Sequence, residues 1–192
     1  QRQMCIRDRN NTNDIWARDY MPVKTKSGKY ISFRYEPSYL ANDPQLRTNF
    51  KTDIAPRFKV DNLVYTDINL DGGNVAFSPS KEKVIISDRV YSENPSWHKA
   101  ELTAKLAKLL EANVIIIPSL KSDMTGHADG MVRFVNENTV VANAPLSPFG
   151  FETKVKKALQ NHGIEVLDFP YFDSNGDLSL IHISEPTRRY AI

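Results

Sequence analysis

The sequence predicts an α+β domain built from repeated strand–strand–helix–strand units. Three observations predict it. Short apolar runs bounded by turn residues alternate with two amphipathic stretches, Ser96–Glu111 and Phe151–Asn161. The order of elements between Val75 and Pro118 recurs between Met131 and Leu167. The offset is about 50–56 residues, within the range for which internal repeats are suspected. Identity between the two copies is negligible, so it is architecture that repeats.

Taken in chain order, Tyr30–Tyr35 alternates suitably for a strand and Asn62–Thr66 offers another. Residues 36–56 between them are polar, proline-punctuated and poorly periodic, which predicts a loop over the functional site. Val75–Phe77 and Lys83–Ser87 flank Pro79-Ser80 and read as a hairpin. The following helix places Leu102, Leu106, Leu109 and Leu110 on one face, with Asn94 or Ser96 as cap and Pro95 near the start. Asn113–Pro118 then reads as a buried strand closed by proline.

The second copy runs through Met131–Val135, a turn at Asn136-Glu137-Asn138, Thr139–Ala142, the helix and Ile164–Leu167. Its helix turns Phe151, Val155, Ala158 and Leu159 inward and Lys154, Lys156 and Lys157 outward, and Gly163 stands where a helix stop belongs.

The two ends read differently. Gln1–Asp8 resembles the translation of a transposase-type sequencing adapter, and Leu178–Arg188 resembles such an adapter read on the opposite strand. Residues 1–9 and 178–192 are therefore set aside as adapter-derived, leaving 10–177 as the domain. Five of the 25 basic and two of the 23 acidic residues lie in those ends, so the net charge falls from +2 to −1. The basic balance of the whole chain thus gives no reason to expect nucleic acid or a membrane as partner. Cys5 is the only cysteine and lies in the first of these ends. A disulfide framework and a cysteine-based zinc site are not expected in 10–177.

Three clusters carry chemistry. His127 and Asp129 stand two apart after Gly126, and on an extended segment they would point to one side. A histidine titrates near neutrality and can pass protons, while a neighbouring carboxylate can hold a cation. Asp14, Trp16, Arg18 and Asp19 fall within six residues, with an aromatic face for a cation and Asp19 to accept from a guanidinium. In Asp71-Gly72-Gly73-Asn74 the glycines permit positive φ or tight packing, and Asp71 is placed to receive a hydrogen from an imidazole. Each has a plain alternative: a solvated loop histidine, a buried tryptophan beside surface charges, an acidic turn. All three fall at strand edges or connections, so units converging about an axis would bring them together.

In this order, Asp-x-Trp-x-Arg-Asp, Asp-Gly-Gly-Asn and Gly-His-x-Asp followed by Arg133-Phe134 resemble the agmatine deiminase and bacterial (Porphyromonas-type) peptidylarginine deiminase family of guanidino-group-modifying enzymes. The resemblance covers residues 10–177. It implies the pentein fold, five strand–strand–helix–strand units about a pseudo-fivefold axis, of which this chain holds about three to three and a half. It also implies hydrolytic deimination through a cysteine thiouronium, with agmatine giving N-carbamoylputrescine and ammonia on the route to putrescine and other polyamines. Peptidylarginine, giving citrulline, is the alternative substrate, and a noncatalytic guanidinium-binding protein of the same fold is a rival.

Carried over by motif, Asp19 and Asp129 bind the guanidinium, His127 moves protons, Asp71 orients the imidazole and Trp16 walls the pocket. Many relatives have glutamate in place of Asp71. The family's nucleophilic cysteine has no counterpart here, so the chain is expected to be inactive by itself. No cofactor or metal is implied. The expected partner is a small guanidino molecule or an arginyl peptide, self-association is left open, and the cytoplasm is the expected compartment.

Overall fold

The computed structural model describes residues 12–13, 16–57, 60–145 and 147–170. Asp14, Cys5 and the two ends set aside as adapter-derived lie outside the described residues. The described chain forms three consecutive units. Each holds a three-stranded sheet in which an antiparallel pair is extended by a parallel third strand.

The first unit opens with the single turn α1 (Ala17–Tyr20) and pairs β1 (Val23–Lys24), β2 (Tyr30–Arg34) and β3 (Leu63–Asn69). Short β1, with no apolar run to mark it, is not evident in the sequence. Between β2 and β3 the chain makes 3-10 turns at Ser38–Leu40, Pro44–Leu46 and Ala55–Arg57 and one π turn at Phe50–Ile54. The predicted loop thus has local helical turns and no regular helix. It carries its own small core, in which Phe50 and Ile54 pack with Tyr20 and Tyr35.

The second unit comprises β4 (Ala76–Phe77), β5 (Lys83–Ser87), a short α2 (Arg89–Ser92), α3 (Lys99–Leu110) and β6 (Asn113–Ile117). The predicted caps of α3 are corrected. His98 occupies the N-cap with no side-chain cap bond, and Asn94 is buried elsewhere, accepting from Asn69 N and donating to the carbonyls of Asn69 and Val90, each at 2.8 Å. An asparagine that satisfies buried backbone groups is worth more inside than at an exposed helix start. Helix α3 ends at Glu111, which takes the left-handed conformation (φ 55°) usually given to glycine.

The third unit repeats the pattern through β7 (Val132–Phe134), β8 (Thr139–Asn143), α4 (Phe151–Gln160) and β9 (Glu165–Phe169). Gly163, at φ 71°, follows α4 as its stop, and Ile164 N returns to Leu159 O at 3.1 Å.

Strand β5 shows why the units stack. Its side chains alternate between faces. Val84 and Ile86 enter one core with Ile31 and Ile68 of the first unit and Leu102, Leu106 and Leu110 of α3. Ile85 enters a second core with Val132, Val140, Val155 and Leu159 of the third unit. All three β5 residues are fully buried, which is why Lys-Val-Ile-Ile-Ser reads as a continuous apolar run. Leu109, placed on the same helix face by spacing, is only partly buried at the margin of the first core.

Neighbouring units are also tied at matching positions. Lys81 Nζ donates to Lys24 O at 2.6 Å, and Ser80 Oγ donates to Glu137 Oε2 at 2.7 Å, both across 57 residues. The unit entrances meet in the same way.

Candidate functional site

The site is built from three entrances. Asp19 sits in α1, ahead of β1. Asp71 and the 3-10 turn Gly72–Asn74 precede β4, and His127 with the 3-10 turn Ala128–Gly130 precedes β7. His127 Nε2 lies 2.8 Å from Asp71 Oδ2, and its Nδ1 lies 3.7 Å from Asp19 Oδ1. All three side chains are nearly buried, at 7 %, 8 % and 11 % exposure, so their charges act on one another with little screening by water.

The two glycines permit this approach by having no side chain. A Cβ on Gly72 would stand 1.9 Å from the carbonyl oxygen of Arg18, and one on Gly73 would stand 2.5 Å from His127 Nδ1 and 2.7 Å from Asp19 Oδ1. Of the two uses the sequence allows, tight packing is the one found. The freed space lets Gly73 N donate to Asp19 Oδ1 at 2.8 Å. At Gly126 the requirement is conformational: it takes φ 58° immediately before His127.

His127 and Asp129 do not share an extended segment as spacing alone suggests. His127 is extended (φ −74°, ψ 147°) and caps a 3-10 turn that holds Asp129. The turn sends them to different partners. Asp129 Oδ2 meets Arg18 Nε at 3.0 Å, while Arg18 Nη2 donates to Val75 O at 3.2 Å. Arg18 therefore bridges all three units. Trp16 precedes α1 and is 62 % exposed.

Two contributors escaped the sequence reading. Asn74 stood inside a quoted motif with no role assigned, yet its Oδ1 accepts from Ser87 N at 2.8 Å and Ala128 N at 3.2 Å, fixing the third entrance to the second. Tyr39 comes from the first-unit connection. Its hydroxyl donates to Asp71 Oδ2 at 3.2 Å and its ring stands edge-on to His127, centroids 6.3 Å apart. The only sequence signal for it was an aromatic residue in a stretch expected to cover the site.

Charge is poised accordingly. Burial raises the Asp19 pKa to about 6, against the opposing pull of His127 and the Gly73 amide. For His127 burial acts downward, but the Asp71 hydrogen bond and the charges of Asp19, Asp71 and Asp129 outweigh it, and the net shift is upward. Burial, followed by the Asp71 charge, pushes Tyr39 far up, so its hydroxyl stays protonated and able to donate. The arrangement can carry a proton on an imidazole oriented by one carboxylate and present further carboxylates to a cation. Among the described residues no group of His, Cys, Asp and Glu has the geometry of a metal site, and no helix is long and apolar enough to cross a membrane.

Known proteins resemble this architecture. Agmatine deiminase of C. jejuni superposes with a TM-score of 0.64 at 19 % identity, over 84 % of this chain and 53 % of that one. A cysteine-to-serine variant of that enzyme with substrate bound gives 0.63 at 18 %, over 83 % and 53 %. Agmatine deiminase of Enterococcus faecalis gives 0.64 at 19 %, over 81 % and 49 %. The fold is thus the pentein α+β fold in part, and the chain spans about half the length of these structures. No curated protein matches the sequence. The profile of the Porphyromonas-type peptidyl-arginine deiminase family matches residues 2–189, so with three entrances meeting at one buried imidazole the chain belongs to that family.

Proposed function

We propose that this chain supplies the guanidinium-binding and proton-transfer part of a deiminase site that acts on agmatine. The observation that carries the reading is His127 held between Asp71 at 2.8 Å and Asp19 at 3.7 Å, with Asp129 one turn away. Asp19 and Asp129 receive the guanidinium by charge-assisted hydrogen bonds and fix its central carbon. A thiolate adds to that carbon, and His127 protonates the departing ammonia. The same imidazole then takes a proton from the water that hydrolyses the thiouronium, leaving a ureido product. Asp71 sets the imidazole tautomer, and Trp16 lines the approach. On this reading the nucleophile lies outside residues 10–177, and the chain as it stands binds guanidinium without hydrolysing it.

Agmatine is taken over peptidylarginine as the substrate on this reading; Tyr39, edge-on to His127 and donating to Asp71, is the connection residue beside the imidazole. Calorimetric titration tests the proposal. Agmatine should bind at least about tenfold tighter than putrescine, which lacks the guanidinium, a difference of about 1.4 kcal/mol. An arginyl peptide should bind more weakly than agmatine, and no ammonia should be released. Equal affinity for agmatine and putrescine would overturn the guanidinium site. Preference for the peptide would overturn the substrate assignment.

A further inference from the structure

The connection that brings Tyr39 to the site is clamped from outside by one arginine. Arg89 Nε donates to Glu93 Oε1 at 3.2 Å and Nη2 donates to Ser38 Oγ at 3.0 Å. Its guanidinium carbon stands 5.3 Å from the Tyr39 ring centroid. Glu93 closes the clamp by accepting from Ser38 N at 3.0 Å, Ser38 Oγ at 2.6 Å and Asn69 Nδ2 at 3.2 Å. The remaining arm of Arg89 donates from Nη1 to Met124 O at 2.7 Å, three residues before His127. One side chain, only 16 % exposed, thus ties the turn carrying Tyr39 to the segment carrying His127. Fork geometry suits this task, since each nitrogen has its own acceptor.

We infer that Tyr39 is a positioning residue for His127, held in place by Arg89, and that it tunes the imidazole through the shared oxygen Asp71 Oδ2. That oxygen meets Tyr39 Oη at 3.2 Å and His127 Nε2 at 2.8 Å. A donated hydroxyl hydrogen places the positive end of a dipole beside the oxygen that stabilises the imidazolium. It thereby weakens the hold of Asp71 on the His127 proton. The other groups acting on His127 are Asp19 and Asp129. Arg18 is paired with Asp129, and Arg89 stands behind the Tyr39 ring. An imidazole that must give a proton and later take one back works best with a pKa near the operating pH. Tyr39 counteracts the carboxylates that would otherwise keep it charged. The inference rests on the proposed role of His127, but its test reads the imidazole itself.

The whole chain, labelled with ring-13C histidine, would be titrated by NMR, with the His127 signal identified by its loss in His127→Gln. Tyr39→Phe keeps the ring and removes the hydroxyl. It should raise the His127 midpoint by about 0.5–1 unit while the other histidine signals are unaffected. Arg89→Lys keeps the charge and removes the fork. It should shift the midpoint the same way, and combining the two should add nothing to Tyr39→Phe. An unchanged or lowered midpoint in Tyr39→Phe overturns the inference, as do additive shifts. If Tyr39→Phe loses the native amide spectrum, Arg89→Lys decides alone, an unchanged midpoint there being the overturning result. Agmatine affinity measured on the same samples separates the two readings, because the midpoint shift stands or falls whether or not agmatine binds.

Discussion

The first and second units have sheets of the same pattern but different connections. In the second, the chain leaves β5 and returns to β6 through α3, whose Leu102, Leu106 and Leu110 are fully buried. In the first, the corresponding path from β2 to β3 is a series of single turns held by hydrogen bonds to other units, such as Ser38 on Glu93. The regular connection buries apolar area and holds the domain together. The irregular one packs only a small core of its own and brings Tyr39 to the site. The irregular connection thus adds one residue, Tyr39, to a cluster whose other members stand at the repeated entrances.

The sharpest way to break this comparison is to truncate one leucine in each connection. Leu106→Ala in α3 should cost about 3 kcal/mol by chemical denaturation, the usual range for a fully buried leucine. Leu40→Ala, next to Tyr39 and only partly buried, should cost less than about 1 kcal/mol. Equal losses would mean that both connections carry the core.

Gly73→Ala should act at the site instead of in the core. Its Cβ would push aside two nearly buried side chains, His127 and Asp19. Their displacement should weaken agmatine binding at least about tenfold, a loss of about 1.4 kcal/mol, read by calorimetry. Retained affinity would show that neither side chain touches the ligand.

A further test is pH. The Asp19 pKa is raised to about 6 by burial, so folding takes up a proton between its ordinary value of 3.8 and 6. Its contribution to stability is full below the unfolded pKa and is lost as pH rises through about 6. His127, also raised, acts in the same sense, losing its contribution as pH passes its folded pKa. Stability should therefore decline from acid toward neutral pH, and Asp19→Asn should flatten the part between about 4 and 6, measured by denaturation midpoints at constant salt. A slope unchanged by Asp19→Asn would place the titration elsewhere.

Legibility in the sequence followed the same division. Helices α3 and α4, strands β5 and β6 and the Gly163 stop are written locally, as periodicity or turn chemistry, and the structure has them within a few residues. The entrance motifs could be read because several reacting residue types stand close together in each. Strand β1 has two residues and α2 four, too short for any period to show. The role of Asn94 depends on Asn69 and Val90 beside it in space, and that of Tyr39 on Asp71, 32 residues away. Such roles are set by tertiary partners, which no local pattern encodes. Spacing misled where a 3-10 turn, not an extended segment, received Asp129.

The amide of Gly73 offers a built-in gauge of how the domain breathes. It is donated to a carboxylate 54 residues away in another unit, so solvent deuterium can replace its hydrogen only when the first two entrances part. The amide of Leu106 sits mid-helix and yields only when the second unit itself melts. One chain thus keeps two clocks, one for separation of its units and one for their unfolding. A ligand gripping both entrances would slow the first of them first.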